Sequence, residues 1–179
     1  MSLVETNGAS IDCEDRSRFV EAFAGVYEHS RWIAEMAFER LNGCEALTLD
    51  ALAATMEDIV DKSTAEQKLT LLRAHPDLAG RLAMSGELTQ ASQREQSSAG
   101  LDQCTKSEFE KFTALNDAYK TRFGFPFIVA VSGMNRQQIL SAFEVRVRNS
   151  PSAEFETALQ QVHRIARLRL EKIFNEQSK

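Results

Sequence analysis

Apolar residues recur along the chain at intervals of three and four rather than two, the pattern of amphipathic helices. Leu49, Leu52, Ala53, Met56, Ile59 and Val60 follow Thr48, whose hydroxyl suits an N-cap, and predict one helix. Ser63-Thr64-Ala65-Glu66 reads as a capping box for the next, which carries Leu69 and Leu72. That helix must end or bend near His75, because Pro76 disfavours helical backbone in the residue before it. Pro76-Asp77 then suits the opening of a short helix through Leu78 and Leu82 that Gly86 ends. After Thr89, the stretch Gln90 to Ser98 reads as helix with Ala91, Ser92, Glu95, Ser98 and Ala99 on one face. A second capping box, Thr105-Lys106-Ser107-Glu108, starts a long helix through Phe109, Phe112, Leu115 and Tyr119, with Gly124 as its stop.

Phe125-Pro126-Phe127-Ile128-Val129-Ala130-Val131 is the longest apolar run and the one segment of strand-like composition, but it is short, contains a proline, and has no second strand to pair with. Ile139, Leu140, Phe143 and Val147 after Asn135 mark a further helix, which Asn149-Ser150-Pro151 terminates. From Ser152 the final helix buries Phe155, Leu159, Val162, Ala166, Leu170 and Ile173, flanked by Ile165 and Phe174. Arg169 is four residues from both Ile165 and Ile173, so it falls on or beside this apolar stripe. With only 8 glycines and 3 prolines in 179 residues, the turn chemistry of a sandwich or barrel is missing. The expected fold is all-α, a single compact multi-helix domain over residues 15–179 behind a loose, polar terminus at 1–14.

Charge and cysteine content narrow the function classes. A net charge of -5 disfavours binding to nucleic acid, so an anionic ligand needs a local pocket. Cys13, Cys44 and Cys104 form no C-x-x-C pair and are odd in number, which argues against a disulfide framework or zinc site and for a reducing compartment. No apolar run is long enough for a membrane span, no signal peptide is visible, and the chain ends Gln-Ser-Lys rather than in the peroxisomal tripeptide Ser-Lys-Leu. A cytoplasmic protein is expected. The sequence has no Walker loop, dinucleotide fingerprint, nucleophile elbow or H-E-x-x-H, and its three histidines are scattered, so no metal is expected.

Three residues could carry chemistry. His75, at a helix end before Pro76, has the side chain suited to proton transfer near neutrality; the alternative is a helix-end imidazole bonded to a backbone carbonyl. Glu95, on the small-residue face with Ser92, could orient that imidazole or a substrate hydroxyl, or be a solvated glutamate. Arg169 cannot shed its charge. If buried it needs a carboxylate, carbonyls or a bound anion, and otherwise its stem covers apolar surface while the head reaches water.

Four blocks together resemble the 2-oxo-4-hydroxy-4-carboxy-5-ureidoimidazoline (OHCU) decarboxylases of ureide formation from urate. They are His75-Pro76-Asp77-Leu78-Ala79-Gly80; Ser92-Gln93-Arg94-Glu95-Gln96 running into Ser98-Ala99-Gly100-Leu101; Phe123-Gly124-Phe125-Pro126-Phe127-Ile128; and Ile165-Ala166-Arg167-Leu168-Arg169-Leu170. The resemblance implies a helical homodimer that forms (S)-allantoin without a cofactor. By the same resemblance His75 is catalytic with Glu95 as its partner, and Pro76 shapes the pocket. Ser92, Gln93, Arg94, Glu95 and Gln96 line one side, the backbone of Phe127, Ile128, Val129, Ala130 and Val131 faces the ring and ureido group, and Arg169 supplies the cation. Ser132 before Gly133 departs from the pattern, since many members carry a basic residue there. Two other readings stay open: a lyase on another small nitrogen-rich ring acid, or a helical interaction module without catalysis.

Overall fold

The structure is a computed structural model and describes residues 15–41, 47–79 and 88–177. Eight α-helices and no strand occur among the described residues: α1 (Arg16–Phe23), α2 (Arg31–Leu41), α3 (Leu49–Asp61), α4 (Ala65–Arg73), α5 (Gln90–Ser98), α6 (Lys106–Phe123), α7 (Arg136–Arg146) and α8 (Pro151–Gln177). A 3-10 turn, Leu101–Gln103, lies between α5 and α6. The all-helical expectation holds. None of these helices is long and apolar enough to cross a membrane. The loose terminus expected at 1–14, Cys13, Cys44 and the block-ending Gly80 lie outside the described residues.

The chain divides into two compact units, one formed by residues up to Ser63 with those from Ala166 onward, the other by Thr64–Ile165. In the first unit, Asp15 caps α1 by accepting from the N–H groups of Ser17 and Arg18. Phe19 packs edge-on against Phe23 and Phe38, and Ile33, Ala37, Leu52, Met56 and Val60 are buried with them. The cap on Thr48 and the apolar stripe of α3 are as the sequence predicts. Helices α1 and α2 drew no expectation, because α1 has only eight residues and α2 places Arg31 and Arg40 at its ends.

In the second unit the first capping box is shifted by one residue from its expected place. Thr64 is the N-cap and Gln67 completes the box, because the Ser63 hydroxyl donates to the Val60 carbonyl and so closes the preceding helix. Helix α4 ends before His75-Pro76 as expected. The short helix expected from Pro76 is not seen in its described part. Leu78 and Ala79 form a turn in which Ala79 takes φ +48°, a left-handed conformation that a helix cannot continue, and residues 80–87 lie outside the described set. Helix α6 begins at the predicted box and stops at Gly124, whose φ of +78° is the left-handed cap that glycine adopts without a Cβ clash. Residues 125–131 form neither strand nor helix; they cross the unit as an irregular apolar segment with Phe125, Pro126, Phe127, Ile128, Ala130 and Val131 buried. Its composition is that of a buried strand, and in place of a partner strand it bonds the side chains of Arg146 and Gln161 and, at its end, the Met134 N–H.

Candidate functional site

Three of the four sequence blocks lie in the second unit, where polar side chains on α5 and α6 hold the first of them. His75 follows the last turn of α4, with its N–H on the Leu72 carbonyl at 3.3 Å and the residue 9% exposed. Its Nδ1 lies 3.0 Å from the Leu71 carbonyl oxygen. A carbonyl only accepts, so Nδ1 carries the proton, and in the neutral ring Nε2 holds the lone pair. The helix-end hydrogen bond that offered an alternative to catalysis is therefore present, and it selects the tautomer with the proton on Nδ1.

The turn after His75 is clamped at three successive residues. Gln96 accepts the Ala79 N–H on Oε1 at 3.0 Å and donates from Nε2 to the Asp77 carbonyl at 3.3 Å. Asn116 on α6 donates to the Leu78 carbonyl at 3.0 Å, and Lys120, one turn on, meets the Asp77 carboxylate at 2.6 Å. Arg73 reaches from the end of α4 to the Gly124 carbonyl at 2.9 Å. His75 thus lies between two anchored stretches, Arg73 on its N-terminal side and the clamped turn 77–79 on the other.

On α5, Ser92, Gln96 and Ala99 make the buried face and Glu95 is half-buried on its flank. Ser98, expected on that face, is exposed, because the buried stripe runs through Ser92, Gln96 and Ala99 and so centres on Gln96 rather than Glu95. Gln93 and Arg94 are exposed, with Arg94 about 200° around the helix from Ser92. The family resemblance grouped these five; the helix places Ser92, Glu95 and Gln96 on or beside its buried face and Gln93 and Arg94 away from it. Pro76 is half-buried beside His75.

The 127–131 segment is held from the opposite helices. Arg146 on α7 donates from Nη1 to the Ile128 carbonyl at 2.7 Å, and its guanidinium lies 4.6 Å from the centroid of the Phe127 ring. The same guanidinium gives Nε and Nη2 to Oε1 of Glu154, at 2.9 and 2.5 Å. Glu154 is fully buried and also accepts from the Tyr119 hydroxyl and, at 2.7 Å, from Asn149. Burial first, and the Glu154 carboxylate second, push the Tyr119 phenol well above its ordinary value. Gln161 on α8 accepts the Ala130 N–H at 3.0 Å.

Arg169 belongs to the first unit, with its side chain 6% exposed. Its Nη1 donates to Glu28 Oε2 at 2.8 Å and to the Gly25 carbonyl at 3.2 Å. Of the choices the sequence left open, the carboxylate and carbonyls are realised, and the head does not reach water by snorkelling. Glu28, Asn116, Arg146, Glu154 and Gln161 were all missed. Two carried the signal that exposed Arg169: Glu154 precedes Ala158, Val162 and Ala166 at intervals of four, and Asn116 lies between Phe112 and Tyr119 on the buried face of α6.

Residues 13–171 match the family model described as OHCU decarboxylase. A 2-oxo-4-hydroxy-4-carboxy-5-ureidoimidazoline decarboxylase of Haloferax volcanii is 45% identical over 161 residues, 90% of this chain and 92% of the relative. A crystal structure of (S)-allantoin synthase superposes with a TM-score of 0.71 at 36% identity, covering 89% of this chain; this chain spans 51% of that one. A second crystal structure, of OHCU decarboxylase in the presence of (S)-allantoin, gives a TM-score of 0.63 at 27% identity over 78% of this chain and 91% of its own. The chain belongs to the OHCU decarboxylase family.

Proposed function

We propose that the protein decarboxylates 2-oxo-4-hydroxy-4-carboxy-5-ureidoimidazoline to (S)-allantoin in urate catabolism, without a cofactor. The observation that carries the reading is the Nδ1 contact of His75 with the Leu71 carbonyl, which leaves a buried imidazole with its basic nitrogen at Nε2. The substrate supplies its own electron sink. When the bond from C4 to the carboxylate breaks, carbon dioxide leaves and the electron pair moves into the adjacent ring C=N, whose nitrogen takes a proton. The product of that step is an enol bearing the former 4-hydroxyl.

Collapse of the enol requires the hydroxyl proton to leave and a proton to arrive on one face of the ureido-bearing carbon. His75 Nε2 accepts the hydroxyl proton and the imidazolium returns one, with Glu95 and Ser92 on the neighbouring face of α5 holding the substrate hydroxyl. Delivery from one side only gives a single enantiomer. Pro76, Gln96 and the backbone of residues 127–131 bound the site, while Gln93 and Arg94 act from its exposed edge. The role of Arg169 as the substrate's cation rests on the family resemblance, and Arg169→Lys tests it as a rise in KM. The same resemblance implies a homodimer, which sedimentation tests, and the cytoplasmic location expected from the sequence is tested by fractionation.

The activity is tested by generating the substrate from urate with urate oxidase and hydroxyisourate hydrolase and following circular dichroism. The proposal requires rapid formation of optically active product beyond the spontaneous, racemic decay. A folded sample that adds nothing to that decay refutes it.

A further inference from the structure

Two side chains outside the four sequence blocks hold the 127–131 segment by its peptide groups, and together they determine where Val129 points. Arg146 Nη1 holds the Ile128 carbonyl, and Gln161 Oε1 holds the Ala130 N–H. Arg146 is itself fixed, because Nε and Nη2 are bonded to buried Glu154 and the guanidinium lies over Phe127, whose ring stacks on Phe143 at 3.9 Å.

In a planar trans peptide the C=O and the N–H point in opposite directions. The Ile128 carbonyl shares its peptide with the Val129 N–H, so fastening the carbonyl to Arg146 turns that N–H away from Arg146. The Val129 carbonyl shares the next peptide with the Ala130 N–H, so the Gln161 bond turns that carbonyl away from Gln161. Neither polar group of Val129 has a partner among the described residues. Val129 is also half-buried between the buried Ile128 and Ala130. An N–H and a C=O presented by one residue complement an amide edge, in which a carbonyl and an N–H are neighbours, and both the ureido group and the ring of the proposed substrate have such an edge.

Resting on the function proposed above, we propose that Arg146 and Gln161 are positioning residues that aim the N–H and C=O of Val129 at an amide edge of the substrate. Gln161 is the cleaner of the two to test, since it is only half-buried and no ion pair involves it. Gln161→Met keeps the length of the side chain and removes the amide oxygen. Steady-state turnover should show KM raised about tenfold with kcat little changed, as expected when ground-state and transition-state binding are lost together. The inhibition constant of (S)-allantoin should rise in parallel. Phe112→Leu, a cavity-forming change in α6 that removes neither of these hydrogen bonds, should lower the melting temperature and leave both constants alone.

In the wild type, the Val129 amide resonance should be among those most shifted by titration with (S)-allantoin. A folded Gln161→Met whose KM and inhibition constant stay within twofold of wild type overturns the proposal, and so does a Val129 amide unmoved at saturating allantoin. Should Gln161→Met not fold, Arg146→Lys, which keeps a cation beside Glu154 but cannot also span to Ile128, must show the same rise in KM. A wild type that does not turn over the substrate is a different result and defeats the functional reading itself.

Discussion

Replacing Glu154 with glutamine should destabilise the protein far more than an average substitution. The carboxylate is fully buried and receives hydrogen bonds from Tyr119, from Arg146 twice and from Asn149. The change removes the charge that balances Arg146, whose side chain is 11% exposed, and turns an NH2 group toward residues that are themselves donors. Breaking one side of a buried ion pair costs about 3–5 kcal/mol. For a chain of this length each kcal/mol is worth about 2–4 °C, so the melting temperature should fall by about 6–20 °C. Urea titration followed by far-ultraviolet circular dichroism gives the free energy, and a thermal scan gives the shift. Replacing both partners, Glu154→Leu with Arg146→Met, should recover much of the loss, because the penalty of the single variant lies mainly in the charge left behind. A Glu154→Gln variant within about 1 kcal/mol of wild type would refute the reasoning, since that is the range of an exposed pair.

Gln96→Leu removes both hydrogen bonds that hold the turn at Asp77 and Ala79. It should lower kcat/KM about tenfold or more through misplacement of His75, and urea titration should show a stability loss of about 1–3 kcal/mol from the exposed peptide groups. The fold holds Tyr119 protonated above its ordinary range, so its contribution is complete below pH about 10, the value of an unfolded tyrosine, and falls as pH rises beyond it. Alkaline unfolding should therefore steepen above that pH, and Tyr119→Phe should flatten this part of the curve. In the acid range, Glu108 is held below the usual carboxylate value by the Thr105 backbone N–H and hydroxyl. Protonating it should remove the α6 capping box, so helicity should drop as pH falls below the carboxylate range, and less so in Glu108→Gln, which keeps an acceptor.

What was legible in the sequence was what is local. The caps at Thr48, Thr89, Thr105 and Asn135 and the stop at Gly124 each depend on residues within one helical turn, and the structure has them where the spacing places them. Ser63 misled because a hydroxyl can close one helix as readily as it opens the next, and only the Val60 carbonyl decides which. The 125–131 segment could not be assigned because its composition reports burial, while strand or irregular backbone is decided by whether a partner strand exists. His75 was visible from Pro76, but its tautomer depends on the Leu71 carbonyl, which every helix residue carries and no sequence pattern marks. The partners of Arg169 were further out of reach, since Glu28 lies 141 residues earlier. Arg146 and Gln161 looked like ordinary polar helix residues, and what they do is visible only once the peptide groups they hold are placed.

The proposed proton transfer runs through the Nε2 nitrogen of His75, and His75→Asn isolates it. Asparagine keeps a donor close to the Nδ1 position, within reach of the Leu71 carbonyl, and offers nothing at Nε2. With the substrate generated in place and product followed by circular dichroism, the variant should keep its fold and its melting temperature within a few degrees of wild type. It should lose about 100- to 10,000-fold in turnover and yield racemic allantoin. Full turnover with one enantiomer from His75→Asn would contradict the account, because the proton would then be handled by a group other than this imidazole.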